Sequence, residues 1–152
     1  MPDEPLDPIL LQVTIPLPTK MIYAAWTEAK QLEGWMCDAA RVEPKIDGAY
    51  ELTWSGVEGF TSHGTIRSMT PEVDLEFGWT APPAFAALMN PPAPSTHVYV
   101  RLQESPEGID VTLEHVGWGS GGAWEEARSW HFHLWDSRLE RLKSYLIQQA
   151  YG

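Results

Sequence analysis

A single cysteine, Cys37, stands in the chain, so no internal disulfide can form and the thiol content suits a reducing compartment. Basic side chains are scarce as well: ten Lys and Arg face twenty-one Asp and Glu, for a formal charge of −11. That balance excludes the clustered cationic surface that nucleic acid or an anionic membrane requires, while a cationic partner stays compatible with it. No apolar run approaches the length of a membrane span. The opening Met1 to Pro8 carries prolines and acids where a signal peptide needs basic residues followed by an apolar stretch. The protein is therefore expected in the cytoplasm, with residues 1–8 as a flexible tail and 9–150 as a single domain. Metal-ligand spacing is also missing. His131 and His133 would lie about 200° apart around a helix, and His63, His97 and His115 belong to different strands. No metal and no cofactor is expected.

Tryptophan, by contrast, is abundant. Eight are present in 152 residues, and each is costly to place unless it packs or lines something. Four fall near or inside the last stretch, Trp124 to Gln149. Stepped at the helical angle, Trp124, Ala127, Leu134, Trp135, Leu139, Leu142, Tyr145 and Leu146 share one arc of about 140°. Glu125, Glu126, Ser129, Asp136, Glu140, Lys143 and Ser144 occupy the opposite arc. The spacing predicts an amphipathic helix about 40 Å long. Arg128, His131 and Arg138 interrupt its apolar stripe.

So wide a stripe needs a broad partner, and the segments upstream read as strands. Ile9 to Ile15 alternates and ends at Pro16 and Pro18; Thr19 to Trp35 then turns to helical spacing in two short pieces, the second closing near Gly34. From Ala40 onward the period is two. Tyr50, Leu52 and Trp54 form one inward set, Val73, Leu75, Phe77 and Trp79 another, followed by Val98, Val100 and Leu102, and by Ile109, Val111, Leu113 and His115. Phe60 to Met69 is ambiguous, because Ser62, Gly64 and Ile66 oppose His63, Thr65 and Arg67. Turns this close together predict an antiparallel meander. One connection is long: Thr80 to Ser95 carries five prolines and an apolar island at Phe85, Leu88 and Met89, as a functional loop would. Gly117 to Gly122 lacks the lysine and spacing of a phosphate loop and reads as a hinge before the long helix. Cys37, in an apolar turn with no base beside it, reads as a buried thiol.

In this order the chain resembles the SRPBCC superfamily, the helix-grip proteins of the birch-pollen-allergen and START type. More narrowly it resembles the family named after the activator of the heat-shock-protein-ninety ATPase. The likeness runs from about Ile9 to Leu146. It is carried by Val13-Thr-Ile-Pro16 through Ala24-Ala-Trp-Thr27 and Leu32-Glu-Gly-Trp35, by Asp47-Gly-Ala-Tyr50, and by Leu113-Glu-His-Val-Gly117 followed by Trp135 to Leu146. It implies an α+β helix-grip fold: a curved antiparallel sheet of about six to seven strands wrapped around a long C-terminal helix, with two short helices after the first strand.

Were the apolar strand faces to point at that helix, Trp54, Trp79, His115, Trp124, His131, Trp135 and Arg138 would converge on one interior. The tryptophans would supply walls, and His115, His131 and Arg138 the polarity, of a cavity for an apolar or aromatic small molecule. The same residues also read as core, with His131 bonded to a backbone carbonyl and Arg138 paired with a carboxylate such as Glu114. Two other functions stay open. Relatives of the helix-grip type include cyclases and aromatases, which would use His115 and His131 if both faced one void. A co-chaperone-like interaction module would dock a protein through the acidic surface or the Phe85 to Met89 island. Nothing in these residues decides between monomer and homodimer.

Overall fold

Why the period-two stretches become strands is visible in their burial. On β7 (Gly108–Val116), Ile109, Val111, Leu113 and His115 are buried and their neighbours are not. The same alternation marks β6 (Thr96–Ser105) and β5 (Asp74–Trp79). In the computed structural model, which describes residues 4–92 and 96–152, seven strands form one antiparallel sheet. Its remaining strands are β1 (Ile9–Ile15), β2 (Ala39–Val42), β3 (Ala49–Trp54) and β4 (Phe60–Thr70), in the order β1-β7-β6-β5-β4-β3-β2. Helices α1 (Thr19–Thr27) and α2 (Ala29–Trp35) fill the connection from β1 to β2. A one-turn helix, α3 (Ala86–Met89), lies in the proline-rich connection. The chain closes with α4 (Gly122–Tyr151), 30 residues long. This is the expected helix-grip architecture. Residues 93–95 of the proline-rich stretch lie outside the described residues.

Helix α4 buries a narrower seam than its sequence stripe suggests. Ala127, His131, Trp135, Leu139, Leu142 and Leu146 are buried, at spacings of four or three residues that keep them in line. Trp124, Leu134 and Tyr145 pack at the margins, half-buried. Polar atoms of aromatic residues hold the two short helices: the Tyr50 hydroxyl of β3 donates to Trp26 O (2.6 Å) and ties α1 to the sheet, and the Trp35 indole donates to Ala25 O (3.0 Å) and ties α2 to α1. Among the described residues no helix is long and apolar enough to cross a membrane.

Two local expectations change. Val73 does not belong to the buried face of β5. It sits in a turn behind Glu72, whose φ is 65°, its N–H bonds Thr70 O, and it is 46% exposed. On ambiguous β4 the small residues turn inward, because the Ser62 hydroxyl accepts the Thr80 N–H (3.0 Å) and Gly64 lets β5 approach. A Cβ on Gly64 would collide with the Gly78 carbonyl oxygen and stand 3.1 Å from Tyr50 O. Neither backbone can yield without opening the sheet. Gly64→Ala is therefore expected to lower unfolding stability by about 2–3 kcal/mol, read from the urea midpoint. Gly122→Ala, at a site with open space, should not lower it.

Candidate functional site

The sheet and α4 meet through two reciprocal pairs of tryptophan and histidine. Trp79, at the end of β5, donates its indole N–H to His131 Nε2 on α4 (2.9 Å). Trp135, one turn along α4, donates to His115 Nδ1 on β7 (2.9 Å). An indole can only donate, so each accepting nitrogen is unprotonated and the tautomers follow. His131 carries its proton on Nδ1 and gives it to Ala127 O (2.7 Å). His115 carries its proton on Nε2 and gives it to Thr96 Oγ1 (2.7 Å). Both rings are buried and neutral. Burial pushes the His115 pKa well below the usual imidazole value, with His131 and then His97 adding to it. Burial likewise lowers His131, to about 4, against the smaller opposing effect of the Ala127 carbonyl.

Around these pairs the aromatic residues close ranks. The Trp79 ring lies 5.8 Å from Trp54, 5.7 Å from His131 and 5.1 Å from Trp135, centroid to centroid, all edge to face. His115 and His131 stand 5.4 Å apart. The structure thus brings together Trp54, Trp79, His115, His131 and Trp135. Trp124 reaches the group only through Trp118, at 6.2 Å. Trp118 itself escapes the sequence reading, which sees a glycine hinge there. Its indole bonds His115 O (2.8 Å) and its ring lies 4.6 Å from His115, so the loop is pinned rather than slack. A tryptophan amid four glycines was the available signal, since leaving it in water is costly.

Arg138 does not join them. Its Nε donates to Met36 O (2.8 Å), and Arg141 Nε donates to Trp35 O (3.1 Å). These carbonyls end α2, where a helix leaves acceptors without partners and favours positive charge. Burial lowers the Arg138 pKa, with Arg141 adding to it. The expected partner Glu114 neighbours buried His115 on β7 and lines an outer groove with Leu10 and Arg101, on the other face of the sheet. Arg128, likewise on the predicted stripe, holds Asp7 O and Pro8 O (2.7 and 3.0 Å). Cys37 is buried, its thiol pushed up to about 12 chiefly by burial. Among the described residues no three His, Cys, Asp or Glu side chains gather as a metal would need.

Aromatic rings therefore occupy the interior where the sequence reading sets a ligand. Open space lies at the rim, in a cleft of about 460 Å³ lined by residues 57–59 of the β3–β4 turn, 82–85 of the proline-rich connection, and Trp130 of α4. Trp130 is 38% exposed. Its ring lies 5.9 Å from Phe85 and 6.1 Å from Phe60, and 4.8 Å from His131, so the cleft floor continues into the aromatic interior. The Phe85 to Met89 island folds onto this edge, with Met89 buried. Two larger grooves along α4 are shallower and rimmed by charged side chains. Sequence reasoning missed Phe60 and Trp130 because they border the buried faces rather than share them.

Residues 16–147 match the family model described as Activator of Hsp90 ATPase homolog 1-like protein. Among solved structures, protein MLL2253 from Mesorhizobium loti is 18% identical, with 93% of this chain and 97% of that chain covered and a TM-score of 0.75. Protein NE0264 from Nitrosomonas europaea is 19% identical, with 96% and 97% covered and a TM-score of 0.75. DynU16, a putative protein in the dynemicin biosynthetic locus, is 17% identical over 93% of this chain and 48% of its own, with a TM-score of 0.71. At these identities the likeness is one of fold. No curated protein matches the chain.

Two outcomes follow from this geometry. An unfolded histidine titrates near 6.5, whereas folded His131 titrates near 4, so the unfolded chain binds the extra proton between those values. Stability is fully present above about pH 6.5 and falls toward pH 4, by about 3 kcal/mol from this group. Urea unfolding across that range should record the slope, and His131→Gln, which keeps an acceptor for Trp79, should reduce it, with buried His115 supplying what remains. Arg138→Met is expected to cost about 1–3 kcal/mol through the charged bond lost at Met36 O, measured the same way at neutral pH.

Proposed function

We propose that this chain, which belongs to the Activator of Hsp90 ATPase homolog 1-like family, binds a small apolar or aromatic molecule without transforming it. The molecule would lie in the cleft walled by Trp130 and Phe85. One observation carries this reading: Trp130 is left partly open in a cleft whose other walls are proline, alanine, phenylalanine, valine and glycine, with Glu58 the one charged side chain among them. Small-molecule sites are concave and mostly apolar, and a flat ligand gains both area burial and ring stacking there. The paired rings of Trp79, His131, His115 and Trp135 would hold the floor rigid, so little ordering cost falls on binding.

Acid–base catalysis through the two histidines has less support. Both nitrogens of each ring are already hydrogen bonded within the protein, and a general base needs a free nitrogen within reach of its substrate. The biosynthetic locus named for DynU16 keeps a role beside small-molecule metabolism in view. Docking of a protein through the Phe85 to Met89 island has less support, because the island packs on the core; the acidic surface remains the other route for such a partner.

The test uses N-phenyl-1-naphthylamine, a neutral dye that brightens in apolar surroundings. Saturable binding is expected at one site. Trp130→Ala and Phe85→Ala should each weaken it about tenfold, the loss of roughly 1.4 kcal/mol, while Arg138→Met leaves it unchanged. No saturable binding, or equal binding by all three variants, would overturn the reading.

A further inference from the structure

We infer that the cleft selects an organic ammonium ion over neutral and anionic molecules of the same shape. This rests on the cleft being a ligand site, as proposed above, and adds the charge of the occupant.

Three observations converge on it. The Trp130 and Phe85 rings stand 5.9 Å apart with planes tilted by 55°, and Phe60 flanks Trp130 at 6.1 Å and 66°. Ring faces carry negative charge density, and a cation within about 6 Å of a centroid is attracted by it. The second observation is the carboxylate of Glu58, the one ionisable side chain among the residues lining the cleft. Among the described residues it forms no ion pair, so its charge is available to a ligand. The third is what stands behind the wall. His131, in contact with both Trp130 and Phe85, is held neutral by the Trp79 bond, so it sets no positive charge against the rings.

The arginines of α4 are occupied elsewhere. Arg138 and Arg141 grip the end of α2, and Arg128 grips the segment before β1. With a formal charge of −11 over the whole chain, the surrounding field also draws cations and repels anions. A neutral molecule would use the rings but not Glu58 or the field. An anion would meet all three as obstacles. The ligand class that uses every feature is a flat or compact ammonium compound, methylated or aryl-substituted, whose soft cation loses little hydration on entering.

Isothermal titration calorimetry on the intact protein separates the cases with three molecules of matched shape: (para-hydroxyphenyl)trimethylammonium, para-tert-butylphenol and para-hydroxybenzenesulfonate. The ammonium compound is expected to bind about tenfold tighter than the phenol, and the sulfonate not measurably. Raising the salt concentration should weaken the ammonium compound alone. Glu58→Gln should cost the cation several-fold while leaving the phenol unchanged, and Trp130→Leu should erase the preference. Equal or tighter binding of the phenol would overturn the charge selection and leave the binding-site reading standing. Failure of all three molecules, together with failure of the neutral dye, would overturn both.

Discussion

The buried indole N–H groups of Trp79 and Trp135 find their acceptors across the boundary between sheet and helix, and those two bonds govern the way the sheet holds its helix. Leaving such a donor unpaired costs about 1–3 kcal/mol, and an interior made of aromatic carbon offers few oxygens. Two imidazoles supply the acceptors, each turned by a proton it gives away elsewhere. The pairs are also crossed: a sheet tryptophan bonds a helix histidine, and a helix tryptophan bonds a sheet histidine. A slide or rotation of α4 by one residue would break both at once, whereas simple apolar packing could be remade after such a slip. The register of the helix in its grip is thus set by hydrogen bonds.

The same pairs explain the rest of the interior. Because His131 and His115 are spent on structure, the polar groups of the two pairs are satisfied internally, and aromatic rings pack closely around them. The arginines tell a parallel story at the other end of α4. There, Arg138 and Arg141 use one nitrogen each on the last carbonyls of α2, which adds charge and dipole to the packing of the Tyr145 ring against Gly34 in joining the short helices to the long one. The apolar cleft lies at the rim.

Much of this architecture was legible in the residues. Alternation along β5, β6 and β7, and the change of period at Thr19 and at Trp124, placed the elements closely, since buried faces of strands and helices leave repeats of two and of about three and a half. The convergence of Trp54, Trp79, His115, His131 and Trp135 followed from the same parity. Arg138 did not follow, because a helical wheel reports which side a residue faces and not what it meets along the axis. Nor did the cleft: its walls come from a hairpin turn, an irregular connection and one residue at the edge of a stripe, and none of these carries a period. Val73 broke its pattern for a similar reason, since the turn at Glu72 interrupts the strand before the alternation does.

The cleft and the core share almost no residues. Val57, Glu58, Pro82, Pro83 and Ala84 line the former and take no part in the tryptophan–histidine pairs. Such a division separates what a fold must keep from what it can change. Mutations could accumulate in the turn and in the proline-rich connection and alter the preferred guest while the scaffold stayed as it is. Among duplicated copies of such a chain, one framework could come to serve many different molecules through drift confined to two short surface segments.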